Sequence, residues 1–170
     1  MRGKKGQFYL LSAIIIVTII VGFITVSNYS NKKGSVKIYD LKEELQIESQ
    51  NIIKYGTYNS LDETAINVLL KQFVESYVDY AGAGKNLYFL FGDSESLTMK
   101  AYQEVAESIS IDGQSMTITG GEGEKTHTPS GSQVIVMIED VEYQFDLEAG
   151  ENFYFIVSQE IEGEKYIVTG

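Results

Sequence analysis

VIVMIEDVEYQFDL, residues 134–147, holds two patterns back to back. Residues 134–138 are apolar throughout, and they read as a strand. After Glu139-Asp140, Val141, Tyr143, Phe145 and Leu147 alternate strictly with Glu142, Gln144 and Asp146. Successive side chains of a strand point to opposite faces, so this second half has one dry face and one wet face. The same alternation extends outward on both sides. Residues 87–91 and 97–101 read as strands upstream, and residues 153–157 and 166–168 read as strands downstream, with a turn at Glu162-Gly163. Ile109 and Ile111, then Met116 and Ile118, flank Asp112-Gly113, which is a strong two-residue hairpin signal. About seven or eight short strands with no helix between them predict an antiparallel meander or sandwich.

Ahead of these strands the period is helical. Ile38, Leu41, Leu45, Ile52 and Tyr55 recur at spacings of three, four and seven and form one stripe. Glu48 fills the gap in that stripe. It is either a buried carboxylate that pairs with a neighbour or registers subunits, or a place where the stripe reaches solvent or the carboxylate accepts bonds from a tyrosine. Tyr55-Gly56 ends this helix, and Ser60-Leu61-Asp62-Glu63 has the pattern of a capping box opening a second one. There Ile66, Leu69, Leu70, Phe73, Val74 and Tyr77 make an apolar face, opposite Glu63, Asn67, Lys71, Glu75 and Asp79. Two amphipathic helices before an antiparallel sheet or sandwich give an α+β class for residues 36–170.

Charge divides the chain unevenly. Residues 1–37 hold six basic side chains and no acidic one, leaving 24 acidic against seven basic in residues 38–170, a net charge of -17. A surface this acidic repels phosphate backbones, which excludes nucleic acid as the natural partner. The chain has no cysteine, so neither a disulfide framework nor a thiolate metal site is available. Residues 8–26, FYLLSAIIIVTIIVGFITV, form an uncharged run of 19 residues. As a helix it would span about 28 Å, close to the hydrocarbon thickness of a bilayer. The run is apolar on every face, and it is longer than the core of a cleaved secretory signal. It therefore predicts a membrane helix over residues 7–28, followed by a juxtamembrane linker at 29–35. The positive-inside rule places the basic N-terminus in the cytoplasm by a small margin, with the acidic domain outside.

The first eleven residues, MRGKKGQFYLL, resemble an archaeal class III signal peptide of the type IV pilin-like family. The resemblance covers residues 1 to about 28. It implies that residues 1–6 are a basic leader, with Lys4 and Lys5 as the basic pair, Gly6 the last leader residue and Gln7 the mature N-terminus. It also implies cutting by a prepilin peptidase, partnership with a pilus assembly platform and other pilin-like subunits, and helices packed together as a filament core. Bacterial type IV pilins place a glutamate at the fifth mature position; here that position is Leu11.

Other candidate sites carry little chemistry. Residues 120–132, GGEGEKTHTPSGS, have no periodicity and contain the only proline and the only histidine, so they read as a surface loop. His127 in such a loop lacks a second ligand or a rigid mount. Gly-Glu-Gly-Glu at 121–124 lacks the lysine and strand-to-helix context of a phosphate loop. Asp93 with Glu95, and Glu139 with Asp140 and Glu142, could hold calcium or act as an acid/base pair, but no DxDxDG spacing is present. These charges read as solvation. Asn28-Tyr29-Ser30 matches a glycosylation sequon beside the membrane, most simply by chance. The expectation is a structural subunit at the cell membrane or in a surface filament, with no cofactor, metal or enzymatic activity. A single-pass anchored binding module that never polymerises is the alternative.

Overall fold

The computed structural model describes residues 37–119 and 121–170. Helix α1 is described over residues 37–58 and helix α2 spans Glu63–Ala81. The nine strands are β1 Lys85–Gly92, β2 Leu97–Tyr102, β3 Ile109–Ile111, β4 Gln114–Ser115, β5 Glu122–His127, β6 Gln133–Ile138, β7 Val141–Asp146, β8 Asn152–Ile161 and β9 Glu164–Thr169. They form a five-stranded sheet in the order β5-β2-β1-β8-β9 and a four-stranded sheet in the order β4-β3-β6-β7, every pair antiparallel. The chain is α+β, with the helices on one face of the larger sheet and the smaller sheet on the other.

This layering explains β1. Its residues KNLYFLFG are buried at every position, because alternate side chains enter different cores. Leu87, Phe89 and Phe91 join Ile38, Leu41, Leu45, Ile66, Leu70 and Val74 beneath the helices. Tyr88 and Leu90 join Met99, Ile111, Val134, Val136 and Ile156 between the sheets. Each fully buried large apolar side chain contributes roughly 1.5–3 kcal/mol.

Several expectations hold. Asp112-Gly113 closes the β3–β4 hairpin with φ of 46° and 74°, and Glu162-Gly163 closes β8–β9 with 55° and 82°. Positive φ at both central positions matches the right-handed twist of the flanking strands. On α2, Ile66, Leu70, Val74, Tyr77 and Ala81 form the buried stripe.

Other expectations are corrected. Residues 120–132 are not a plain loop, since β5 pairs with β2 from Leu97↔His127 to Tyr102↔Glu122. Its inward positions are Gly123 and His127, which carry no apolar signature. Glycine is favoured at 123, because a Cβ would meet the Thr117 backbone oxygen at 2.9 Å besides the Ile118 and Met116 side-chain ends. Gly56 does not end α1. It lies inside the helix where α2 crosses, and a Cβ would meet Ile66 Cγ1 at 2.5 Å. Asp62, rather than Ser60, caps α2, its Oδ1 accepting the Ala65 N–H at 2.8 Å. Glu48 is exposed, so it is no buried carboxylate; Ser49 occupies the buried stripe there, and Tyr55 turns outward. Beyond the hairpin turn, only Gln114 and Ser115 pair as a strand, although Met116 is still buried.

No helix among the described residues is long and apolar enough to cross a membrane. The uncharged segment at 8–26 lies outside them.

Candidate functional site at the open end of the sandwich

Four polar constellations interrupt the apolar interior. The first bridges the two sheets. His127 on β5 is 6% exposed and places Nε2 2.6 Å from Asp112 Oδ2. Asp112 Oδ1 accepts the Ile135 N–H at 2.9 Å, so one carboxylate ties the hairpin turn to both β5 and β6. The histidine is therefore a structural member of the interior, not an isolated loop residue.

The second lies between α2 and the larger sheet. Lys100 on β2 is 2% exposed and donates to Glu75 at 2.7 Å and to Tyr102 at 3.2 Å. Glu124 and Glu122 stand 3.6 and 3.8 Å from it, and Lys71 bonds Glu124 at 2.9 Å. Burial alone would favour the neutral amine, but the bonds to Glu75 and Tyr102 outweigh it and hold Lys100 above the ordinary lysine range. The Gly-Glu-Gly-Glu carboxylates thus neutralise an interior ammonium.

The third gathers carboxylates from three elements. Asp93 Oδ1 accepts the Glu95 and Ser96 N–H groups at 2.7 Å each, closing the β1–β2 turn. Burial opposes ionisation of Asp93, but these donors and Glu63 prevail and hold it below the usual carboxylate range. Glu63 shares a hydrogen bond with Asp93, which raises the Glu63 pKa. Half-buried Glu151 has both carboxyl oxygens covered and without a partner among the described residues. Burial, then the charges of Asp93 and Glu63, push it up to about 7.

The sign of that shift gives a prediction. A carboxyl with a raised folded pKa binds its proton more tightly folded than unfolded, so ionising it costs stability. The penalty is absent below about 4.3, grows with pH, and is complete above about 7. Glu151→Gln is expected to match the parent near pH 4 and to gain on the order of 1 kcal/mol at pH 8, a figure discounted for partial exposure. Denaturant melts of both chains at the two pH values measure this. An equal gain at both would show that relief of packing, not of charge, is responsible.

The fourth constellation is a cleft where the two sheets part. Its cavity of about 290 Å³ is lined by Asn86, Glu107, Glu139, Ser158, Glu160 and Lys165, with Gly84, Lys85, Glu104, Val105 and Gln159 completing it. Glu107 is anchored by Tyr88 Oη, which donates to it, and by Lys165 Nζ at 2.7 Å. Lys165 also bonds Glu139 at 3.2 Å. Burial would raise the Glu107 pKa, but Lys165 and Tyr88 more than offset it, and Glu107 stays below the usual carboxylate range. Tyr88, buried and beside that charge, is shifted upward and keeps its proton. Asn86 is fully committed, donating to Val105 O at 2.9 Å and accepting from the Glu104 and Val105 N–H groups. Glu107 and Tyr88 are thus fixed in opposite protonation states and bonded to each other, which leaves the rim carboxylates of the cleft open to a ligand.

The leader residues Lys4, Lys5, Gly6 and Gln7, and Asn28 of the sequon, lie outside the described residues. Of the carboxylates singled out in the sequence, Asp93 closes a turn and Glu139 sits on the cleft rim. Among the described residues no group of three His, Asp or Glu side chains is placed to hold a metal ion. Sequence reasoning missed Glu107, Ser158 and Lys165, which lie far apart in the chain and carry no motif. No family model, characterised protein or solved structure matches this chain.

Proposed function

We propose that the chain is a membrane-anchored cell-surface subunit of the pilin-like kind, cut by a prepilin peptidase between Gly6 and Gln7. The observation that carries this reading is the order of segments in the sequence: a short basic leader ending in glycine, an uncharged run at 8–26, then an acidic domain. Cutting on the cytoplasmic side of the run leaves the hydrophobic helix on the mature protein, where it can pack against copies of itself. The close approach of such helices is helped by Gly22. The described domain is compatible with the reading. Asp112, His127, Lys100, Glu75 and Asp93 serve sheet bridges, ion pairs and turns, and its surface charge keeps an exported head soluble.

The test is the mass of the mature N-terminus, taken from membranes of a host that has a class III peptidase. The expected chain starts at Gln7. A start at Met1 or Arg2 would reduce the protein to an uncut single-pass anchor. A start near Asn28 would mean a released protein and would overturn the reading. The anchored binding module is the second reading, and the cleft at the open end of the sandwich favours it. Imaging of membrane extracts separates the two, because filaments are expected only for the first.

A further inference from the structure

We propose that the open end of the sandwich is a binding site for a primary ammonium group on a short aliphatic stem, seated on Ser158 beneath the carboxylates of Glu104, Glu139 and Glu160. This inference is independent of polymerisation and of the leader. It begins from unmet valences. Ser158 is 4% exposed, lines the cleft, and forms no side-chain hydrogen bond among the described residues. Gln159 lines the same cleft and has a covered carbonyl oxygen with no donor among the described residues. The covered Gln159 oxygen carries a desolvation cost that a donor relieves, and the Ser158 hydroxyl, still open to the cleft, offers such a donor an acceptor.

The charges select the sign of that ligand. Four carboxylates and two ammoniums line the cleft, a net of -2. Lys165 is committed to Glu107 and Glu139, and Lys85 donates to Ala81 O at 2.8 Å. Carboxylates are in surplus, and both ammoniums are already committed. An anion would meet uncompensated carboxylates. A bare metal ion is disfavoured by spacing, since no three acidic or histidine side chains among the described residues converge on one point. An apolar molecule would leave Ser158 and Gln159 unsatisfied. A primary ammonium supplies three donors to acceptors spread around it. Its stem has a partner in Val105, which lines the cleft and is 59% exposed. The volume of about 290 Å³ admits a chain of a few methylenes.

Such a group can come from a free diamine or from a protein lysine, and the test distinguishes them. The full-length chain in detergent micelles is titrated by amide NMR with 1,5-diaminopentane, with Nα-acetyl-lysine methylamide and, as the opposite-charge control, with glutarate. Saturable shifts at residues 104–107, 158–160 and 165 are expected for at least one amine, with a Kd of about a millimolar, the scale open to so small a ligand. Tighter binding of the lysine derivative would point to a protein partner, and tighter binding of the diamine to a free amine. Glu160→Gln is expected to weaken either by roughly two- to fivefold, and added salt to weaken it further. Glu160 is exposed, so this variant keeps the fold, and Ser158→Ala then removes the floor contact with a further loss. No saturable shift with either amine, glutarate shifting the same amides, or unchanged affinity in Glu160→Gln would each overturn the proposal.

Discussion

Phe89→Ala is expected to lose about 4 kcal/mol of stability, the largest effect of any single truncation in the domain. The ring is 0% exposed and sits at the centre of β1, opposite Lys100 of β2 and Phe155 of β8. It meets Tyr102 edge-on at 6.4 Å and Phe153 at 6.1 Å, and Phe153 in turn touches Phe73 of α2. Removing it opens a cavity where the central strand meets the helices, and the surrounding aromatic rings are too rigid to fill it. Burial loss and the cavity together give the 3–5 kcal/mol typical of Phe→Ala, a large share of the roughly 5–15 kcal/mol that holds a domain folded. Denaturant melts of the full-length chain in micelles measure it. Met137→Ala, at an exposed position of β6, is the control and should fall within about 0.5 kcal/mol of the parent. A loss below about 1 kcal/mol for Phe89→Ala would mean that the helices do not pack on this face of the sheet.

That packing also explains which parts of the fold were legible in the sequence. The run at 141–147 shows its two faces because β7 is an edge strand. Tyr143, Phe145 and Leu147 are half-buried against the interior and Glu142, Gln144 and Asp146 face water, while Val141 at the strand's start is exposed against the pattern. The Asp112-Gly113 and Glu162-Gly163 turns were legible because few residue pairs accept positive φ twice. Lys100 was not legible. In LTMKAY it occupies the position that alternation assigns to solvent, yet α2 covers that face and the lysine is buried among carboxylates. Nothing local states that a sheet is covered twice. β5 escaped for the opposite reason. Its inward residues are Gly123 and His127, chosen for close approach and for the Asp112 bridge, so no apolar period marks it.

The cleft shows the same limit more strongly. Glu107 comes from an irregular stretch between β2 and β3, Ser158 from the middle of β8 and Lys165 from β9. Each is ordinary in its own segment. Only the pairing of β1 with β8 sets Asn86 opposite Ser158, and only β8 with β9 sets Glu160 opposite Lys165. A site assembled by strand register has no linear signature. The carboxylates that did stand out in the sequence, such as Asp93 with Glu95, drew notice through adjacency, and adjacency there serves a turn.

The turn at Asp93 supplies the second large effect, and a glycine series isolates its cause. Gly92→Ala is expected to cost about 3 kcal/mol, from backbone strain and steric overlap together. Gly92 has φ +130°, and a Cβ built there would lie 2.2 Å from Ser96 O and 3.2 Å from Leu97 Cα. Both are backbone atoms of the turn that Asp93 Oδ1 closes, so neither can swing aside as a side chain would. Moving Gly92 is also resisted, because its carbonyl accepts from the buried Asn152 amide at 3.3 Å. Gly113→Ala is the comparison. It has φ +74° with nothing within 4 Å of the added carbon, so it bears conformational strain alone, about 1–2 kcal/mol. Gly131→Ala, with open space and no positive φ, should be close to neutral. Urea midpoints at constant m-value give the three differences. The expected order is Gly92 well above Gly113, and Gly113 above Gly131. If Gly92 and Gly113 cost the same, positive φ alone fixes the glycine and the turn has room to shift. If Gly92→Ala alone collapses the transition, the β1–β2 turn is the point on which both sheets depend, since β2 carries β5 and, through His127, the link to the second sheet.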